Sequence, residues 1–142
     1  MKFIRLSRGA HKEGIGKGCA MEAVAALNGE MWSDRPACVC PVIGAYVRVY
    51  NDFLPDTERE KYLTPDLLIR LIGTRGDLAS QVARARIAAD SAAKSAEYAI
   101  YRHCVATIEA MLAVGTCGPV SPLRSIEEIA PKFGGLVEVE KV

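Results

Sequence analysis

The chain carries no excess of either charge, since 18 Lys and Arg stand against 17 Asp and Glu in 142 residues. A net charge this close to zero sets up no global field toward DNA, RNA or an anionic membrane. Nucleic acid is therefore not an expected partner, and any anion would have to be read by a local patch. No apolar run approaches the roughly 20 residues that span a bilayer. The opening Met-Lys-Phe-Ile-Arg-Leu-Ser-Arg interrupts its apolar residues with charge, unlike an export signal. A cytoplasmic protein is the expectation. There the five cysteines, an odd number, stay reduced. No internal repeat or low-complexity tract is present, and no cofactor fingerprint is read, so no cofactor is expected.

Half of the residues are apolar, enough for the core of a single domain over residues 1–142. The expected class is mainly α: a compact helical domain with one long Ala-rich helix and a small β pair formed by the terminal strands. Residues 2 to 7 read as a short strand, and residues 136 to 142 alternate apolar and charged as a half-exposed strand does. A helix over Cys19 to Leu27 is stopped by Asn28-Gly29. Pro41 opens a second, in which Val42, Ile43, Tyr46, Val47, Tyr50, Phe53 and Leu54 recur at three and four. Arg48, Asn51 and Asp52 fall on its polar side. Thr64-Pro65-Asp66 starts a brief helix closed by Gly73.

Asp77 suits the N-cap of the longest element, which runs from Leu78 to about Val114 without internal glycine or proline. Leu78, Val82, Ala85, Ala89, Ala92, Ala96, Ala99, His103, Ala106, Ala110 and Ala113 follow heptad spacing, a small-residue seam that permits close helix approach. A homo-oligomer built on this seam is expected. The competing reading breaks the helix near Asp90-Ser91, where short polar side chains can bond their own backbone. Beyond it, Ser125-Ile126-Glu127-Glu128 fits a capping box ended by Pro131.

Several residues could carry chemistry. Gly14-Ile15-Gly16-Lys17-Gly18 precedes a helix, so Gly16, Lys17 and Gly18 could hold an anion at its N-terminus. The P-loop order of Gly, Lys and Ser/Thr is absent. Arg75, in a glycine-flanked loop, is a second anion contact. Cys19 at the same N-terminus is the candidate reactive thiol, and His103 its candidate partner. Cys38 and Cys40 could lend two thiolates to zinc, although structural sites usually space such pairs more widely and no metal is expected. Trp32 and Asp34 stand on a polar insertion suited to recognition, or plug and cap it. His103, the polar member of the seam, is either a satisfied interior histidine or a ligand contact.

Gly-Lys-Gly-Cys followed by an Ala-rich helix resembles the start of papain-like and transglutaminase-like cysteine enzymes. Those enzymes carry a histidine and an acid or amide on later strands, which this chain does not offer. Cys-Ala-Met-Glu-Ala-Val-Ala at 19 to 25, Trp-Ser-Asp-Arg-Pro-Ala-Cys-Val-Cys-Pro-Val-Ile at 32 to 43 and Ile-Gly-Thr-Arg at 72 to 75 resemble a family of short bacterial and phage proteins with no assigned activity. The resemblance implies a cytosolic, phage-borne setting and contributes no catalytic residue. The expected function is non-catalytic binding, as a phage anti-defence factor that occupies a host protein or sequesters a nucleotide-like anion. A cysteine enzyme using Cys19 is the alternative.

Overall fold

The structure is a computed structural model that describes residues 4–94 and 100–115. Its elements are β1 (Arg5–Leu6), β2 (Lys17–Gly18), α1 (Ala20–Leu27), α2 (Pro41–Phe53), α3 (Asp56–Tyr62), α4 (Pro65–Arg70), α5 (Leu78–Lys94) and α6 (Ile100–Leu112). The architecture is mainly helical with one small two-stranded parallel sheet. β1 takes β2 as its neighbour, with Arg5 opposite Lys17 and Leu6 opposite Gly18. The expected strand over 136 to 142, the 125–128 capping box, Cys117 and seam positions 95–99 lie outside the described residues.

Local chemistry accounts for most helix ends. Gly29 and Gly73 take φ of 71° and 81°, left-handed values that let the chain turn away after α1 and α4. Thr64 caps α4 by accepting the Leu67 N–H at 3.3 Å. Asp77 accepts the Ser80 N–H at 2.9 Å and its hydroxyl at 2.7 Å, as its N-cap role required. α2 is the central element and packs on α1, α5 and α6. Ile43, Val47, Tyr50 and Leu54 from its inner side meet Met21, Val24, Leu68, Ile108 and Met111 in one core.

The stretch expected as one long helix is two helices, α5 and α6, packed side by side. They run antiparallel, since Ser80 at the start of α5 bonds Gly115 beyond α6, while Ser91 near its end bonds His103 and Thr107. The break comes later than Asp90-Ser91, after Lys94. The described alanines of the seam do not carry this contact, although its one polar member, His103, does. Leu78, Val82, Ala85 and Ala89 on α5 and Ala106, Ala110 and Ala113 on α6 are exposed, whereas Ser80, Arg84, Ser91, Thr107, Ile108 and Met111 are buried. The interior of this pair is specified by hydrogen bonds as much as by apolar contact.

Two buried arginines close helix ends, one of them within this pair. Arg84 donates from Nη1 to Thr74 O at 2.6 Å, from Nε to Met111 O at 3.0 Å and from Nη2 to Val114 O at 3.2 Å. The last carbonyls of a helix lack intrahelical partners, and a guanidinium there satisfies them while its charge complements the helix dipole. Arg59 serves the end of α2 in the same way, donating to Asn51 O at 2.8 Å and Leu54 O at 2.6 Å.

Candidate functional site

The glycine-rich loop does not leave an anion cradle at α1. Glu22 Oε2 accepts the Cys19 N–H at 2.8 Å, Asn51 Oδ1 accepts the Ala20 N–H at 3.1 Å, and Cys19 Sγ accepts the Glu22 N–H at 3.4 Å. The chain's own carboxylate and carboxamide fill the positions a ligand anion would take. Gly16 and Gly18 instead accept from the N–H groups of Arg5 and Ser7, each at 2.9 Å. Lys17 lines a cavity with Arg5, Asp56 and Glu60, whose opposite charges balance. Asn51, expected on the polar side of α2, is fully buried here and also donates to Ser7 O at 3.0 Å.

The same network settles Cys19 and Trp32 into structural positions. Cys19 is the N-cap of α1, 3% exposed, and burial pushes its thiol up to about 11, against the expected lowering by the helix dipole. Desolvation is the largest influence and outweighs the lowering by the Glu22 and Met21 backbone N–H groups, and the neighbouring Glu22 carboxylate raises the thiol further. His11, not His103, is the histidine of this region, and its Nδ1 faces Glu22 Oε2 at 3.2 Å. Trp32 donates to His11 O at 2.7 Å and lies on Gly18, where an added Cβ would come 3.0 Å from its ring. Any side chain at Gly18 would displace the tryptophan.

His103 sits across the α5–α6 contact. Its Nε2 is 2.8 Å from Ser91 Oγ and 3.3 Å from Ser91 O. A carbonyl only accepts, so Nε2 carries the proton that this geometry uses. Ser91 Oγ is 2.7 Å from Thr107 Oγ1, and Thr107 donates to His103 O at 2.9 Å. These bonds tie the half-buried His103 to Ser91 and Thr107 across the α5–α6 contact. Cys38 and Cys40 do not gather further ligands: no group of three His, Cys, Asp or Glu able to hold a metal occurs among the described residues. Burial and the neighbouring Glu30 carboxyl push the Cys38 thiol up to about 12.

Arg75 is the candidate whose surroundings suit an anion. It joins Arg35 and Arg48 around a cavity of about 240 Å³ whose other walls are Pro36, Val39, Cys40, Pro41 and Gly44. Arg48 donates from Nη1 to Asp34 O at 3.1 Å, and Arg75 from Nη1 to Ala37 O at 3.2 Å, so the loop before α2 anchors both side chains. Asp34 therefore serves the site through its backbone carbonyl. Arg59 and Arg70 have carboxylate partners, but no carboxylate lies within 4.0 Å of Arg35, Arg48 or Arg75 among the described residues.

The cavity also opens at the N-terminus of α2, a 13-residue helix with no side-chain cap. Cys40 turns its own N–H to Thr74 Oγ1 at 3.0 Å, tying the loop of Arg75 to this helix end. Thr74 in turn donates to Leu71 O at 2.7 Å. Three guanidinium groups and the positive end of the α2 dipole impose positive potential on one small space. Sequence reasoning placed Arg75 in an anion role and missed Arg35 and Arg48. Nothing in the spacing of residues 35, 48 and 75 brings them together; the packing of α2 against the two loops does. No family model, curated protein or solved structure matches the chain.

Proposed function

We propose that this protein is a non-catalytic binding protein that sequesters a nucleotide-like anion through its phosphate groups in the cavity at the start of α2. The observation carrying this reading is the convergence of Arg35, Arg48 and Arg75 on one cavity, with no carboxylate within 4.0 Å of them among the described residues. Guanidinium groups form paired, charge-assisted hydrogen bonds with phosphate, and the positive end of the α2 dipole adds to their potential. The cavity of about 240 Å³ is smaller than the usual roughly 300–1,000 Å³ of sites that enclose a whole small molecule. No aromatic side chain is among its lining residues, so the phosphates rather than a base provide recognition. In a phage-borne setting such a protein would withhold a phosphorylated signal from a host system.

Isothermal titration with a nucleoside diphosphate, pyrophosphate and the uncharged nucleoside tests the reading. Both phosphorylated compounds should bind, weaken as salt rises, and lose roughly 1.5–3 kcal/mol in Arg48→Ala or Arg75→Ala. Equal binding by the uncharged nucleoside, or full affinity in both variants, would overturn it. The cysteine-enzyme alternative has no comparable support, because the Cys19 thiol is buried, protonated and engaged as a helix cap.

A further inference from the structure

α5 is inverted: it turns Ser80, Arg84 and Ser91 inward and presents Leu78, Val82, Ala85 and Ala89 to solvent. Leu78 is 74% exposed and Val82 42%, and across a shallow groove α2 adds Val42 and the 72% exposed Val49. The apolar surface thus continues from one helix to the next. Continuous exposed apolar faces of this kind mark association surfaces. Charge chooses the occupant. Arg86 and Asp90 flank the stripe on the side away from α2, are both exposed, and form no ion pair with one another.

We infer that this face binds the same face of a second copy, with the two α5 helices antiparallel about a two-fold axis. In an antiparallel pair each flank meets its own counterpart, so an axis near residue 88 sets Arg86 of each copy opposite Asp90 of the other. A parallel pairing would not bring these charges together. Ala85 and Ala89, close to the axis, let the helices approach toward the short end of the roughly 8–10 Å range, while Val82 of each copy lies over the last turn of the other α5. The two-fold contact centres on the outward half of α5; the α6 alanines take no part in it.

Light scattering and sedimentation of the full chain across concentration test the dimer. The parent should have the mass of two chains and Val82→Arg that of one, with unchanged helical circular dichroism. Arg86→Glu, which touches nothing buried, should raise the dimer dissociation constant about tenfold, and the double exchange Arg86→Glu with Asp90→Arg should restore most of the loss. A parent that is monomeric at every concentration overturns the inference, as does a dimer indifferent to both single substitutions. If Val82→Arg fails to fold, the charge exchange decides alone: a double variant no tighter than Arg86→Glu excludes the antiparallel pairing.

Discussion

At the scale of single residues, the fold separates groups that satisfy the chain from groups free to meet a ligand. Cys19, Glu22, Asn51, His11 and Trp32 are bonded to one another or to nearby backbone, and what resembles an active-site cysteine is a helix cap. Its pH behaviour follows. A thiol whose folded value is raised from 9.0 to about 11 holds its proton more tightly when folded. Stability from that protonated state is present below pH 9 and is lost as pH rises toward 11. Iodoacetamide labelling followed by mass spectrometry should therefore leave Cys19 unmodified in folded protein at pH 7 to 8 and modify it promptly in urea. Rapid labelling of the folded chain at pH 7 would contradict this assignment. Cys19→Ser should keep the cap and preserve anion binding.

At the scale of elements, periodicity identified where helices form better than which side they bury. α1, α2 and α4 end where glycine, proline and threonine chemistry places their ends, because those signals act within one turn. α3 was not anticipated: Asp-Thr-Glu-Arg-Glu-Lys-Tyr has no apolar stripe, and the buried member of its face is Arg59, held by carbonyls of α2. The described alanines of the seam stay outside the core for a related reason. Small apolar residues cost little when exposed, whereas the end of α6 needs donors that only the opposite face of α5, through Arg84, can supply. Arg84→Met should leave three carbonyls without that donor and cost about 3 kcal/mol or more in urea unfolding. Arg70→Met, which breaks an exposed contact with Glu109, should cost well under about 1 kcal/mol. Equal losses in the two variants would remove the distinction.

At the scale of the whole molecule, the proposed ligand should act as a clamp, because its three arginines come from the loop before α2, from α2 itself and from the loop between α4 and α5. A ligand that binds only the folded chain should add about 2.7 kcal/mol at 100 times its dissociation constant, read as a rise in melting temperature with pyrophosphate. Arg48→Ala should lose most of that rise while melting near the parent without ligand; a rise retained in full would place the anion elsewhere. From its residues alone the chain already determined a mainly helical class, the ends of α1, α2 and α4 and the Asp77 cap. Those are consequences of short-range sterics and hydrogen bonding. Only tertiary structure decided the break between α5 and α6, the burial of Asn51, Glu22 and Arg84, and the meeting of Arg35 and Arg48 with Arg75. Each of these depends on partners many residues away, whose positions no local spacing encodes, and a buried polar group is tolerated only where such partners arrive.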